Sequence, residues 1–288
     1  MFPNTFDYHA PTSVAEAVSL LQEHGDDAKV LAGGHSLLPL MKLRLSSPPV
    51  LVDIGRIPEL RGIARSNGTV TIGAMTTHAE ILRSEGLKSA LPILAEAATN
   101  IGDPMVRNRG TFGGSLAHAD PAGDWPAVAL ALGATMKLTG PDGVRTVAVD
   151  DFFLDMLTSD LQPSEVLTAV DLPVRGGTVG MSYQKFAHPA SGYAVVGVAA
   201  VVTLGDDGAV RECRIAVTGA GPKATRATAA EDALTGQSPT PDAIAQAAGR
   251  AGEGMDFLGD IYASESYRAH LVQVYAKRAL LAAVEAAR

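Results

Sequence analysis

The chain has 288 residues, of which 47 % are hydrophobic, and a formal net charge of −8 at pH 7. This length predicts one large domain or two smaller ones with an ample core. The acidic balance, without any basic stretch, excludes a typical nucleic-acid-binding protein. The N-terminal residues lack the features of a signal peptide, and the longest apolar run, residues 193–204, has the length of a strand rather than a membrane span. Together these features predict a cytoplasmic protein.

The sequence contains a single cysteine, Cys213. One thiol cannot form an intrachain disulfide, a cysteine-rich zinc site or an iron–sulfur cluster. It lies in an apolar alternation, which predicts a buried structural thiol. If the protein carries out redox chemistry, its cofactor must therefore be organic or lie in a partner chain.

The N-terminal part is predicted to mix short helices and strands. Ser13–Glu16 reads as a capping box that starts a helix, and Gly25 ends it. A strand at 29–32 then runs directly into Gly33-Gly34-His35-Ser36. The other elements predicted before residue 178 are a helix at 37–45, a strand at 50–54, a hairpin centred on Asn67-Gly68, a helix after the capping box Thr77–Glu80, helices at 92–98 and 124–132, a hairpin around 141–143 and a strand at 166–172.

The segment Arg175–Gly180 looks like a linker, so we expect two domains, residues 1–177 and 178–288. The second domain is predicted to begin with about three antiparallel strands and to end in alanine-rich helices. The strands are expected at 182–186, 193–204 and 210–219, and the helices at 225–234, 241–252 and 266–287.

The stretch Ile101–Pro121 is too polar and too rich in glycine for a core element. Within it, Thr111-Phe112-Gly113-Gly114-Ser115 places paired glycines beside hydroxyl groups. Paired glycines let the backbone approach a ligand closely, and exposed N–H groups can hold an anion such as a phosphate. A lone Gly-Gly pair would be read as an ordinary surface turn, but Ala32-Gly33-Gly34-His35-Ser36 repeats the pattern. The two loops could converge on one diphosphate.

One other glycine motif is rejected, and two further motifs are absent from the sequence. The segment 219–224 resembles a dinucleotide fingerprint, but its strand is predicted in a hairpin, and Asp242, the nearest candidate for the acid, follows the start of a helix. No G-x-x-x-x-G-K-[ST] sequence is present, which excludes a P-loop nucleotide hydrolase. No G-x-S-x-G sequence is present either, so a hydrolase nucleophile elbow is unsupported.

Several polar residues keep two interpretations. The set His35, His78, His118 and Asp120 matches no zinc pattern, and hydrogen bonding is the commoner role of such histidines. Asp124 could cap the helix at Trp125 or accept hydrogen bonds from ribose hydroxyls. Arg107 and Arg109 could neutralise phosphate or pair with surface acids.

Taken together, Ala32–Ser36, Thr71–Ala74 with Thr76-Thr77, and Ile101–Ser115 resemble the FAD-binding medium subunit of molybdenum hydroxylases, the family of aerobic carbon monoxide dehydrogenase and the xanthine dehydrogenase-like enzymes. The resemblance extends over the whole chain. It implies an α+β fold of the vanillyl-alcohol-oxidase type, with two subdomains in the FAD domain and a small C-terminal domain containing a three-stranded antiparallel sheet and helices.

The resemblance also implies roles for individual residues. Backbone N–H groups of both glycine loops would hold the FAD diphosphate, Asp124 would contact the ribose or adenine end, and Lys185 would lie near the flavin. Tyr193 would stack on the isoalloxazine, although a plain strand aromatic is the alternative for this residue. The full cofactor-binding set that it implies is Leu31, Ala32, Gly33, Gly34, His35, Ser36, Thr111, Phe112, Gly113, Gly114, Ser115, Asp124, Lys185 and Tyr193.

For function, the resemblance implies an electron-transfer subunit without a substrate-oxidising site or a catalytic residue of its own. Electrons would come from iron–sulfur clusters in a small partner subunit, the molybdenum cofactor would lie in a large one, and FAD would pass electrons to an external acceptor. A dimer of such heterotrimers is expected, with membrane association only through the acceptor. The alternatives are a stand-alone flavoprotein, in which His35 would be a candidate covalent flavin anchor, and a non-enzymatic assembly subunit.

Overall fold

The computed structural model describes residues 2–288. Near the N-terminus, three parallel strands form a sheet of order β1-β3-β2. These strands and the helices beside them are β1 (Asp7–His9), α1 (Val14–His24), β2 (Ala28–Leu31), α2 (Leu37–Lys42) and β3 (Val50–Asp53). The apolar face of α1 packs Ala17 and Leu21 against Val52 and Ile57. Because β2 ends at Leu31, the first glycine loop leaves the carboxyl end of this sheet.

The two predicted capping boxes differ in the structure. At Thr77 both bonds form, since its hydroxyl accepts the N–H of Glu80 and the Glu80 carboxylate accepts the N–H of Thr77. At the start of α1, the Ser13 hydroxyl accepts the N–H of Glu16, but the Glu16 carboxylate accepts the N–H of Thr12 rather than that of Ser13. The Thr77 box is therefore confirmed, and only the Ser13 half of the first box is correct.

A second, antiparallel sheet follows, with the order β4-β5-β10-β6-β7. Its strands are β4 (Ile63–Ser66), β5 (Thr69–Gly73), β6 (Thr135–Gly140), β7 (Gly143–Ala148) and β10 (Val166–Pro173), while β8 (Phe153–Asp155) pairs with β9 (Thr158–Ser159). Asn67 and Gly68 both have positive φ, as the type I′ turn predicted between β4 and β5 requires. The helices of this region are α3 (His78–Arg83), α4 (Glu85–Ala90), α5 (Pro92–Thr99), α6 (Pro104–Arg109), α7 (Phe112–His118), α8 (Asp124–Leu132) and α9 (Val149–Phe152).

The expectation that Ile101–Pro121 is a loop outside the core is wrong. The stretch forms α6 and α7, and Phe112 and Leu116 of α7 are fully buried. Each helix is capped by a side chain, since Asp103 accepts the N–H of Val106 and Thr111 accepts that of Gly114. The caps and the burial of α7 offset the low helix propensity of its two glycines.

The C-terminal part is a four-stranded antiparallel sheet, β11-β12-β13-β14, covered by three helices. Its elements are β11 (Thr178–Ala187), β12 (Ala194–Leu204), β13 (Val210–Thr218), β14 (Thr225–Arg226), α10 (Thr228–Leu234), α11 (Pro241–Gly249) and α12 (Glu265–Ala286). The three predicted strands are thus present as β11–β13. The helix expected from Thr225 starts three residues later because Thr225 and Arg226 first pair with β13.

Helix α8 is buried on all sides, which explains its uniformly apolar sequence. Its Trp125 belongs to a core that includes Phe112 of α7 and Tyr183 of β11, so the C-terminal sheet packs on the N-terminal part. Cys213 is buried as predicted, and burial raises the pKa of its thiol. Within residues 2–288, no helix combines the length and the apolar character needed to cross a membrane.

Candidate cofactor site

The two glycine loops are in direct contact. A Cβ on Gly33 would collide with the carbonyl oxygen of Arg109 and lie 2.9 Å from the Cα of Gly110. A Cβ on Gly114 would lie 3.2 Å from the Cβ of Ala32. The loop after β2 and the junction of α6 and α7 therefore converge, as the sequence predicted, and glycine at 33 is required by their close approach.

The first loop presents a run of unpaired donors. Among residues 2–288, no acceptor pairs with the backbone N–H groups from Gly33 to Leu37. Gly34 has a φ of +77°, and the chain turns there into α2, where the N–H of Leu38 already bonds to the Gly34 carbonyl at 3.0 Å. Successive free N–H groups at such a turn form a concave anion-binding surface. This donor set fits a diphosphate.

In the second loop, four of the five N–H groups expected to bind the diphosphate are already bonded, and only that of Thr111 has no acceptor within residues 2–288. The N–H groups of Phe112 and Gly113 bond to the carbonyls of Thr76 and Ala74 at 2.9 Å. The N–H of Gly114 is taken by the Thr111 hydroxyl at 3.2 Å, and that of Ser115 by the Thr111 carbonyl at 3.1 Å. The physical reason is that the segment begins a capped helix that is also tied to the strand end at Ala74–Thr76.

The side-chain positions of the second loop divide into two groups. Phe112 is buried against Trp125, with ring centroids 5.0 Å apart, and a Cβ on Gly113 would lie 2.6 Å from the Cα of Ala74. Both residues thus pack in the core. Gly114 and Ser115 are only half-buried, and the Ser115 hydroxyl has no partner within residues 2–288. They are the members of this loop that face the first loop or solvent.

A buried ionic cluster lies at the start of α8. The Asp124 carboxylate is 2.8 Å from the Lys185 ammonium and accepts a 2.5 Å hydrogen bond from the Tyr183 hydroxyl. Only 8 % of the Asp124 side chain and 2 % of that of Lys185 are exposed. Burial raises the pKa of the Asp124 carboxyl, while Lys185 acts to lower it. Lys185 also donates to the carbonyl of Asn100 at 3.0 Å.

This cluster changes the interpretation of Asp124. The N-cap of α8 is Gly123, and Asp124 is the first helical residue, without a capping hydrogen bond. Its carboxylate is bonded to Tyr183 and Lys185 and nearly buried, which excludes the capping role and leaves little of it exposed to a ribose. Sequence reasoning missed Tyr183, although the two-residue period of a strand places it on the same face of β11 as Lys185.

Tyr193 connects this cluster to the first loop. Its side chain is 44 % exposed. Partial burial and then the charges of Asp120 and Asp124 raise the pKa of the Tyr193 phenol, while the nearby Ser36 hydroxyl lowers it. Tyr193 is thus close to Ser36 of the first loop, and nearly half of its surface is exposed.

Of the remaining polar candidates, His78 and Arg107 have structural partners. The Nδ1 atom of His78 accepts a 3.0 Å hydrogen bond from the Trp125 indole, and burial lowers the pKa of His78 to about 4. Arg107 donates to the carbonyls of Ile101 and Gly102 rather than to acids. His35 is exposed. Among residues 2–288, no three side chains of His, Cys, Asp or Glu are grouped as a metal site.

Comparisons with known proteins agree with this geometry. Residues 4–175 match the FAD binding domain in molybdopterin dehydrogenase, and residues 181–283 match the CO dehydrogenase flavoprotein C-terminal domain. The carbon monoxide dehydrogenase medium chain of Hydrogenophaga pseudoflava is 44 % identical over 98 % of this chain and 98 % of its own length. The 6-hydroxypseudooxynicotine dehydrogenase complex subunit alpha of Paenarthrobacter nicotinovorans is 40 % identical over 100 % of this chain and 97 % of its own.

A solved structure gives the same result for the fold. The structure of carbon monoxide dehydrogenase from Hydrogenophaga pseudoflava, in a form that lacks the Mo-pyranopterin moiety of the molybdenum cofactor, contains a chain that superposes with a TM-score of 0.96 at 45 % identity. The match covers 99 % of both chains, which confirms the expected α+β fold. The chain therefore belongs to the family of FAD-binding subunits of molybdopterin dehydrogenases, with the C-terminal domain of the carbon monoxide dehydrogenase flavoproteins.

Proposed function

We propose that the chain is the FAD-carrying electron-transfer subunit of a heterotrimeric molybdenum hydroxylase. It would receive electrons from an iron–sulfur subunit and deliver them to an external acceptor. The observation that carries this proposal is the run of unpaired N–H groups at Gly33–Leu37 beside the exposed ring of Tyr193. FAD, when bound, supplies storage for two electrons that can be released singly.

Each part of the site would bind a different part of the cofactor. The N–H groups of Gly33 to Leu37 would hold the diphosphate, because a diphosphate offers the anionic oxygens that such a surface accepts. Gly114 and the free Ser115 hydroxyl would border it from the facing loop. Tyr193 would cover one face of the isoalloxazine. The buried Asp124–Lys185 pair would support this arrangement through packing and hydrogen bonds rather than bind the ribose.

The site set expected from the resemblance is therefore proposed in a revised form. The groups proposed to touch FAD are the backbone of Leu31 to Ser36, Gly114, Ser115 and Tyr193. The residues proposed to support them through packing and hydrogen bonds are Thr111, Phe112, Gly113, Asp124 and Lys185.

The partners follow from what the chain can supply. One buried cysteine cannot hold an iron–sulfur cluster, so the clusters and the molybdenum cofactor would belong to a small and a large subunit. Two relatives carry names that describe a medium chain and a subunit of a complex. A carbon monoxide dehydrogenase-like complex is favoured because one of the curated relatives with the highest identity is such a medium chain. We also propose a dimer of heterotrimers in the cytoplasm.

We place the domain boundary at residue 177. Strand β10 ends at Pro173 and β11 begins at Thr178. Each sheet draws its strands from one side of this point. Residues 1–177 would thus form the FAD-binding domain, and residues 178–288 the C-terminal domain that contributes Tyr193 and Lys185.

The test is the flavin, iron and molybdenum content of the tagged protein, isolated gently from its native cell. All three, with two co-purifying chains, are expected, and carbon monoxide should then support dye reduction by the complex. Flavin alone, resistant to release by acid, would favour a stand-alone enzyme anchored at His35. Absence of flavin from a preparation that retains its partners would favour an assembly subunit and overturn the proposal.

A further inference from the structure

The connection between β11 and β12 is a short, tightly bonded turn that ends at Tyr193. The N–H of His188 donates to the carbonyl of Tyr193 at 2.8 Å, and the N–H of Gly192 donates to the carbonyl of His188 at 2.8 Å. Gly192 has a φ of +72°, which closes the turn. The backbone of His188 therefore fixes the point from which the Tyr193 ring projects.

The side chain of His188 also organises this turn. Its Nδ1 atom accepts the N–H of Ala190 at 3.2 Å and the N–H of Ser191 at 3.3 Å. An imidazole nitrogen can accept only through its lone pair, so Nδ1 carries no proton here. These two bonds hold the middle of the turn, where Ala190 and Ser191 are exposed and have no packing to hold them.

The imidazole ring is itself held in place. It packs on the ring of Tyr262, with centroids 4.4 Å apart. Tyr262 lies in a segment bound by Asp260, whose carboxylate accepts the N–H groups of Tyr262 and Ala263 at 2.8 Å. Asp260 is in turn paired with the buried Arg268. A fixed neighbour thus limits the positions that His188 can occupy.

We propose that His188 is a positioning residue for the flavin: its Nδ1 atom organises the turn that holds Tyr193 against the isoalloxazine. This inference rests on the proposed function, in which Tyr193 covers the flavin. His188 acts through Tyr193 and does not touch the cofactor. Loss of the acceptor frees the exposed residues of the turn, and the ring of Tyr193 then samples positions away from Ser36 and Asp124.

The test measures the rate of FAD release from the intact complex for four variants: H188L, H188N, Y193L and the double variant H188L/Y193L. Y193L is expected to release FAD up to about tenfold faster, the size of one aromatic contact. H188L should also release FAD faster than wild type, by a smaller factor than Y193L. The double variant should match Y193L alone, because His188 has nothing left to position. H188N should stay near wild type, since an Asn oxygen accepts the same two N–H groups.

Each outcome decides between the two proposals. If Y193L accelerates release while H188L does not, the role of His188 is overturned and that of Tyr193 stands. If the effects of H188L and Y193L multiply in the double variant, His188 acts independently of Tyr193 and the inference fails. If Y193L itself changes neither release nor the visible flavin spectrum, the placement of Tyr193 is wrong and both ideas fall. If H188L does not fold, a fifth variant, Y262L, replaces it, because it removes the ring that packs on His188. Faster release from Y262L than from H188N supports the role of His188, and equal release overturns it.

Discussion

Gly33 and Arg109 meet backbone to backbone, so that a Cβ on Gly33 would collide with the Arg109 carbonyl oxygen. This contact joins the loop after β2 to the end of α6 and brings the two glycine loops together. The N–H groups from Gly33 to Leu37 in the first loop are unpaired, whereas those of residues 112–115 in the second are used to cap and anchor α7. The two loops have similar sequences but different hydrogen bonding, and we propose that the first presents donors while the second supports it.

The contact predicts a strong effect of a small substitution. Gly33→Ala should destabilise the protein by about 1–3 kcal/mol, the usual range for an added methyl group in a tightly packed place, and FAD should be lost with it. The matched control is Gly249→Ala, because a Cβ there has no neighbour within 4 Å. Thermal unfolding of both variants checks this, and an unchanged melting temperature for Gly33→Ala would contradict the close packing of the loops.

The buried pair at α8 predicts a large difference between two lysines. Lys185→Met leaves the Asp124 carboxylate buried with the Tyr183 hydroxyl as its remaining partner, and such a loss typically costs about 3–5 kcal/mol. Lys88 pairs with Glu85 at the surface, with side chains 44 % and 84 % exposed. Lys88→Met should therefore change stability by less than about 1 kcal/mol. Denaturant unfolding at neutral pH compares them, and equal effects would show that the Asp124 cluster is not buried in solution.

His78 predicts a specific acid sensitivity. Burial lowers its pKa from 6.5 to about 4, so the unfolded chain binds a proton there at a pH where the folded chain does not. The contribution of His78 to the free energy of unfolding is fully present above pH 6.5. It is lost as the pH falls towards 4, and the loss over the whole window is about 3 kcal/mol.

The check is the pH dependence of unfolding for His78→Asn, whose side-chain oxygen can still accept from Trp125. This variant should lose less stability between pH 6.5 and 4 than the wild type. The exposed His270, replaced by Asn in the same way, serves as the control. A wild-type slope in His78→Asn would show that His78 does not titrate with folding.

Elements set by local signals were predictable from the sequence. The Asn67-Gly68 hairpin, the Thr77 capping box and the end of α8 at Gly133 each depend on a few adjacent residues, and each is present. The convergence of the two glycine loops was also predicted, because their shared composition indicated a shared ligand. The contact at Gly33 and Arg109 now supplies a structural reason for it.

Features that depend on distant partners were not predictable. Helix α7 contains Gly113 and Gly114, which disfavour a helix locally, and it forms because Gly113 packs on Ala74 and its N–H groups reach Thr76 and Ala74. The state of each N–H group in the two loops depends on the same contacts. Tyr183 was missed because its partner, Asp124, lies 59 residues away in the chain.

The most direct measurement is hydrogen exchange of the complex with and without FAD, followed by mass spectrometry of the peptides that contain the two glycine loops. Unpaired amides exchange rapidly, and bonded ones slowly. We expect FAD to slow exchange at Gly33–Leu37 by about tenfold or more, while the already bonded amides of 112–115 change little. Unchanged exchange at Gly33–Leu37, with new protection confined to 112–115, would contradict the proposal that the first loop holds the diphosphate.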